Sequence, residues 1–517
     1  MQEYLMFALA LSPLLLMVFL ILKVKMPIHY AVLISLAFTS ALTVIFWKMP
    51  ARNLQAAIGY GAIKGLWPIV IVILGAIFSY NVMQATKTLD ILRDVLASIS
   101  DDKRIQVLLI AWCFGGFLEA AAGYGTAVAI PIGILIALGF DPLKAAIASL
   151  VANTVPTAFG AVGIPVSILA EQVNLPVYTL GGTIILQLAL FNILLPFVII
   201  CIIGGGLKAI RGVFWITLLC GVTTLIPQYF VAIYLGAELP AFAGSLVSLF
   251  AIAIAGRSRN GKTVPQWRIE AHHSRDTPPR SAKVLCKAGA IYMLIFTFIL
   301  LCSPLFPSIK TAVSHVASVL HFPLAGSEAM ALKVEWIATP GVLIIFATII
   351  GGFIQGATAR GMLVVFARTL FQLRNSIIAI MAIVALATVM DLSGLISTLA
   401  QSIVDLTGGA YVFIAPVIGA LGTFITGSDT NSNVLFGKLQ TIAAGKLNID
   451  PNWLAAANTS GATGGKMISP QSIAIAVSAT RMEGQANQIM SGTMKYCFAY
   501  IIILGLKIGL FYYWFMA

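Results

Sequence analysis

The chain has 517 residues, 60% of them hydrophobic and 9% charged, with a mean hydropathy of +0.99. A soluble domain carries about a quarter charged residues to cover its water-facing surface, so this composition excludes one and points to a polytopic α-helical membrane protein. The net charge of +13 does not argue for nucleic acid, because cytoplasmic loops of membrane proteins carry excess Lys and Arg.

The first apolar run, "MQEYLMFALALSPLLLMVFLILKVK", carries Glu3 in place of a basic start and shows no small-residue cleavage site. It reads as a retained first helix and not as a signal peptide. Further runs follow at roughly 28–47, 65–84, 105–120, 124–140, 143–158, 180–204, 212–235, 239–256, 284–303, 337–357, 375–391 and 410–427, then a broken region 430–480 and a last run 497–516. Some are half-spans, so about 12–14 membrane segments are expected, at about 20 residues per full crossing. The six cysteines are scattered without metal-ligand spacing and read as packing residues; neither a metal nor a cofactor is expected.

The most hydrophilic stretch, 257–287, holds eight Lys or Arg against Glu270 and Asp276. It separates an N-terminal membrane repeat, 1–256, from a C-terminal one, 288–517. Segments 206–211 and 357–374 are also basic, whereas 304–335 holds two basic and two acidic residues. The excess of basic residues places the first three in the cytoplasm and 304–335 outside, which carries both termini outside too. His272 and His273 in the long loop read as solvated side chains.

The two halves echo each other. "NTVPTAFGAVGIPVSI" from Asn153 aligns without gaps with "NTSGATGGKMISPQSI" from Asn458, with six identities in sixteen positions. Asp141-Pro142 precedes the first copy and Asp450-Pro451 the second, and further upstream "GGFLEAAAGYGT" from Gly115 faces "GTFITGSDTNSN" from Gly422. Paired Gly-rich interruptions of this kind point to a transporter binding site. Unwound backbone at bilayer depth survives only where protein or a wet cavity satisfies its N–H and C=O groups, and the N-termini of half-helices suit an anion.

A charge near the bilayer centre costs at least about 2.5–3.5 kcal/mol, so its default reading is functional. Glu119 lies in the first interruption, Asp429 in the second, and Lys466 in "GGKMISPQS". The two carboxylates are candidates for carrying a proton, since shielding from water favours the protonated form. Lys466 is the fixed cation for a substrate carboxylate, or it pairs internally with Asp429 or Glu119. Lys64 and Asp391 sit at the ends of apolar runs, where an interfacial position serves equally well.

At these residues the chain resembles the L-lactate permease family. "YGAIKGLWPIVIVILGAIFSY" (60–80), "CFGGFLEAAAGYGTAVAI" (113–130), "ANTVPTAFGAVGIP" (152–165), "ITGSDTNSNVLFGKLQ" (425–440) and "AANTSGATGGKMISPQSIAIA" (456–476) carry the resemblance, which spans nearly the whole chain. It implies a bacterial inner-membrane symporter of lactate, glycolate or a related 2-hydroxymonocarboxylate with a proton, and no enzyme. More distantly the pattern is similar to ion transporters built from two inverted repeats with re-entrant hairpins, whose motion is elevator-like. Ala120, Tyr124 and Ala127 depart from the family's usual glycine, phenylalanine and proline, and Tyr124 adds a hydroxyl beside the site.

The expected substrate ligands are Tyr124, Asn153, Thr154, Ser428, Asn458, Thr459 and Lys466, and the proton carriers are Glu119 and Asp429. Partners are the small-molecule substrate, protons and the lipid bilayer, with a homodimer as a candidate assembly and no nucleic acid. A rival is the same architecture coupled to Na⁺, since unwound carbonyls with Asn and Thr side chains hold that ion equally well. An intramembrane enzyme is the rival from another class, but neither H-E-x-x-H nor G-x-S-x-G occurs.

Overall fold

The structure is a computed structural model that describes residues 2–123, 125–259, 261, 263–269, 281–326, 328–482 and 484–515. Tyr124, His272 and His273 lie outside the described residues. Among those described, twelve helices are long and apolar enough to cross a membrane.

The chain opens with α1 (Gln2–Leu22) and α2 (Ile28–Ile45), then α3 (Ala51–Lys64) and α4 (Ile71–Ala85), joined through Gly65–Val70. Next come α5 (Thr88–Ala97), α6 (Lys103–Val107), the π-helical turn Leu108–Phe114 and α7 (Gly115–Ala121). The first interruption separates α7 from α8 (Thr126–Ala137). Then α9 (Pro142–Ala152) and α10 (Thr154–Thr157) lead through a second irregular stretch to α11 (Ile164–Val173). The half closes with the long α12 (Val177–Gly204), followed by α13 (Phe214–Leu235) and α14 (Pro240–Arg257).

Beyond the basic loop lie α15 (Ala282–Leu301), α16 (Pro307–Ser314), strands β1 (Ala317–Phe322) and β2 (Met330–Glu335), α17 (Pro340–Gln355) and the 34-residue α18 (Ala359–Leu392). The order of the first half then recurs. It runs α19 (Leu395–Thr407), α20 (Tyr411–Thr426), an interruption, α21 (Asp429–Leu447), α22 (Pro451–Lys466), a second interruption, α23 (Pro470–Thr480) and the long α24 (Ala486–Phe515). The two sets embrace reciprocally, because α11 packs along α21 and α23 along α8.

The repeated Asp-Pro dipeptides have a local cause. Asp141 Oδ1 accepts from Lys144 N at 2.9 Å, and Asp450 Oδ1 from Asn452 N at 2.9 Å. Each aspartate is therefore an N-cap with proline at the first helical position, where its missing N–H costs nothing. Both dipeptides start the helix that leads back into the membrane.

Loops sort to two ends. At one, Arg104 pairs with Asp102 at 2.7 Å, donates to the Ala209 and Arg211 carbonyls, and lies over the Trp267 ring. Asp101 joins it. Burial opposes ionisation there, but Thr263, the Gly261 N–H and Arg268 outweigh it and hold the carboxyl below its usual range. At the other end, Asn53 holds Ala325, Trp67 donates to Thr339 and Trp47 to Thr398. The described parts of 206–211 and 257–287 thus gather at one end, and 304–335 at the other.

Three features differ from the sequence expectation. Segment 304–335 is more than a loop: β1 and β2 pair antiparallel with Ala317 opposite Glu335. The alternation that buries Leu332 and Val334 while exposing Ala331 and Lys333 is the strand signal, so the helical class carries this one hairpin. Helices α5 and α19 are amphipathic and too short to span; α19 buries Leu395, Leu399 and Val404 along one face. The span expected at 65–84 begins at Ala51 and is broken at Trp67, which precedes a cis Pro68 and has non-helical φ/ψ of −128° and 115°.

Candidate functional site

Lys466 ends α22, and its Nζ donates to Glu119 Oε1 at 3.0 Å. The pair joins the last turn of α22 to α7, linking the two halves across 347 residues. The Glu119 side chain is 2% exposed and that of Lys466 15%, so Glu119 is sealed while the ammonium keeps an opening. Glu119 Oε2 has no hydrogen-bond partner among the described residues, and Asp429 is buried beside the Thr423 hydroxyl. Asp429 lies within electrostatic range of both Lys466 and Glu119. It occupies the first position of α21, where a negative charge complements the helix dipole.

The opening is a cavity of about 250 Å³. Its polar lining comes from helix starts. Ser428 caps α21 by accepting from Asn431 N, and Ser469 caps α23 by accepting from Ser472 N at 3.2 Å. Ser428, Asn431, Ser472 and Lys466 line the cavity, so two half-helix N-termini and one cation converge on it. That combination binds an anion without requiring a second charge. Opposite stand Ile21 of α1, Ile28 of α2, and Ser376, Ala379 and Ile380 of α18.

The glycines at the interruptions are covered by one helix. Gly125, at φ 85°, and Gly427, at φ 72°, adopt the left-handed conformation that other residues avoid. Ile475 lies over the first and Gln471 over the second. These residues, four apart on α23, present one helical face to both interruptions.

The structure brings Lys466, Glu119, Asp429 and Ser428 together but not the two Asn-Thr pairs. Asn458 and Thr459 are buried one helical stretch before the second-half interruption, which falls at 467–469. Their side chains both donate to Asn433 Oδ1, at 2.9 and 3.0 Å, and Asn433 in turn donates to the Pro165 carbonyl. Gln440 extends this network to Asn458 Oδ1 and Tyr411. The pair therefore ties α21, α22 and α11 together. An amide reaching sideways to a neighbouring helix satisfies more partners than one turned to its own chain end. Asn153 Nδ2 donates to Thr157 Oγ1 and Thr154 Oγ1 to the Leu150 carbonyl of α9; Asn153 Oδ1 has no partner among the described residues.

Two features went unread in the sequence. Serines at 469 and 472 carried a visible signal, an S-P dipeptide after a Gly-rich run. The wall residues of α1, α2 and α18 carried none, because an apolar residue facing a cavity looks like one facing lipid.

Residues 6–515 match the family described as L-lactate permease. The chain is 41% identical over 452 residues to an L-lactate permease of Streptococcus iniae, covering 87% of this chain and 93% of that one. It is 34% identical to the glycolate permease GlcA of Escherichia coli K12, with 92% and 90% covered, and 33% identical to an L-lactate permease of Bacillus subtilis 168, with 93% and 91% covered. Among solved structures it is similar to the YdaH transporter of Alcanivorax borkumensis, with TM-score 0.47, 13% identity, and 87% of this chain and 86% of that chain covered. The family match over residues 6–515 and the relatives at 33–41% identity mean that the protein belongs to the L-lactate permease family.

Proposed function

We propose that the protein carries lactate, glycolate or a close 2-hydroxymonocarboxylate across a bacterial inner membrane together with a proton, through the cavity at Lys466. The buried Lys466–Glu119 pair, open to the cavity only on its cationic side, carries this reading. Relatives named as lactate and glycolate permeases supply the substrate class. The substrate carboxylate meets Lys466 and the N-termini of α21 and α23, and its hydroxyl meets Ser428 or Asn431. Asn153, Thr154, Asn458 and Thr459 stand further back in this scheme, as supports of the interruptions, and Tyr124 is retained as a candidate ligand from the sequence alone.

Charge counting supports the proton. Lys466 faces two carboxylates, so an ionised cluster has one excess negative charge before substrate arrives. A monoanion entering beside it adds another, at a steep cost away from water. A proton on Glu119 or Asp429 restores balance, so substrate and proton are favoured together. The recurrent element order, the reciprocal packing of α11 on α21 and α23 on α8, and the placement of α5 and α19 at opposite ends support two inverted repeats. The gathering of basic loops at one end supports a cytoplasmic 257–287 loop.

Purified protein in liposomes, given an inward proton gradient without Na⁺, is expected to accumulate labelled lactate and glycolate. Accumulation that appears only with a Na⁺ gradient would replace the proton reading with the Na⁺-coupled one. No uptake of either acid under any gradient would remove the substrate assignment.

A further inference from the structure

The cavity at Lys466 is larger than lactate needs, and its surplus is apolar. An apolar cavity of about 150 Å³ holds benzene, which has the heavy-atom count of lactate. The 250 Å³ present here leaves a surplus of about 100 Å³, which holds one or two further carbons once two waters of about 30 Å³ each stay on the polar groups. The polar groups sit mostly at 426–431 and 466–472, with Ser376 of α18 as a lone hydroxyl on the opposite wall. The remaining wall is mostly hydrocarbon: Val128 of α8, Ala379 and Ile380 of α18, and Ile475 of α23. Ala379 and Ile380 are each 4% exposed, so their packing against neighbours fixes them in place. Ile475 is half-buried and also covers Gly125. A carboxylate anchored at Lys466 therefore points its C2 substituent at hydrocarbon.

We propose that this apolar wall is a side-chain pocket that admits 2-hydroxymonocarboxylates longer than lactate, with four to five carbons, and that Ala379 and Ile475 set the upper length. The inference rests on the reading of this cavity as the transport site. Burying one methylene against hydrocarbon is worth about fourfold in affinity, so the four-carbon acid binds at least as well as lactate. Lys466 is the sole cation of the lining among the described residues, which leaves a second carboxylate uncompensated and excludes dicarboxylates.

The test is counterflow in liposomes containing the purified full-length protein, preloaded with lactate, with glycolate, lactate, 2-hydroxybutyrate, 2-hydroxyvalerate, 2-hydroxyhexanoate and malate as competitors. The parent is expected to exchange 2-hydroxybutyrate within threefold of lactate and to ignore malate. Ala379→Leu fills the pocket and should lower the ratio of 2-hydroxybutyrate to glycolate exchange at least tenfold. Ile475→Ala enlarges it and should raise the ratio of 2-hydroxyhexanoate to lactate exchange. Ratios within one variant are insensitive to how much protein folds, so a general packing defect does not imitate the result. A parent that exchanges glycolate and lactate but discriminates more than tenfold against 2-hydroxybutyrate overturns the pocket and leaves the transport reading standing. So do variants whose ratios match the parent. Absence of counterflow with glycolate and lactate alike overturns both.

Discussion

The two interrupted halves share an order of elements but not an environment. In the second half the helix starts at Ser428 and at Pro470–Ser472 open onto the cavity, beside Lys466. In the first half the start of α11 is closed by protein, while the start of α8 borders the same cavity through Gly125 and Val128. A Cβ on Gly163, at φ 71°, would overlap the Ala237 carbonyl, and Glu238 lies beside Ser167 at the head of α11. The start of α8 at Gly125 lies under Ile475. The first half contributes Glu119, on the helix before its interruption, and the second contributes Asp429, on the helix after. The ion cluster is thus assembled from both halves, with Lys466 of the second supplying its cation.

The largest effect is expected where the halves meet. Lys466→Ala strands a carboxylate that is 2% exposed, and breaking a buried pair costs about 3–5 kcal/mol. Uptake should fall by more than about a hundredfold, and the melting temperature in detergent should drop. Glu119→Gln keeps the shape but cannot cycle a proton, so exchange persists while accumulation against a gradient is lost. The double variant Lys466→Ala with Glu119→Gln should recover the melting temperature without recovering transport. Wild-type transport in Lys466→Ala would place the anion site elsewhere.

A second contrast lies between two helix crossings, one in each half. In the second half, α20 and α22 touch backbone to backbone: a Cβ on Gly461 would overlap the Pro416 carbonyl, and one on Gly465 the Ala420 carbonyl. Such small-residue contacts are how membrane helices approach closely. In the first half, a Cβ on Gly116 would meet only side chains, Ser245 Oγ at 2.7 Å and Pro156 Cγ at 3.2 Å. Gly461→Ala should therefore cost about 1–3 kcal/mol, the usual range for overpacking. Gly116→Ala should cost less, since the Ser245 hydroxyl can rotate away. Thermal denaturation of both variants decides; equal losses would erase the distinction between the two crossings.

Much of this was legible in the sequence, for identifiable reasons. Composition set the class, and the cost of buried charge singled out Glu119, Asp429 and Lys466, which the fold gathers within range of one another. The repeat was visible because Asp-Pro and Gly-rich dipeptides have local causes, a cap and a left-handed turn. The Asn-Thr pairs misled, because sequence gives a residue's polarity but not its direction. Asn458 turns to Asn433 on α21 and away from the cavity. The break at Trp67 was hidden inside an apolar run, and α5 and α19 were passed over because an interfacial helix needs neither the length nor the hydropathy of a span.

The capping serines offer a finer comparison. Ser469→Ala should cost about 1 kcal/mol, as cap losses typically do, and should also raise KM for lactate severalfold, because that helix start faces the cavity. Asp141→Ala removes the cap of α9, which lies at an exposed chain reversal. It should cost a similar amount of stability and leave KM unchanged. Initial-rate uptake with a matched thermal series separates the two quantities. A KM shift of equal size in both variants would mean that the effect is loss of stability and not a disturbance of the helix start that lines the cavity.

The smallest effect is expected at the pair that joins α3 to α11. Lys64 Nζ lies 3.1 Å from Glu171 Oε1, with side chains 10% and 49% exposed, and Glu171 lines a second cavity of about 570 Å³ at the end that carries the β-hairpin. Asp391 on α18 and Lys438 on α21 are within electrostatic range of each other. Since α3 packs on α18 and α11 on α21, each helix pair presents one cation and one anion to the other. A half-exposed partner is well solvated, so Glu171→Gln should change stability by no more than about 1 kcal/mol. If the seam between these helix pairs opens during the cycle, weakening the pair shifts the rate of opening, and kcat for lactate counterflow changes while KM does not. Reversing both charges, Lys64→Glu with Glu171→Lys, should then return kcat toward the parent. Charge-reversed and single variants that all keep the parent's kcat would reduce the pair to a solvated contact, and would confine the moving parts to the interruptions themselves.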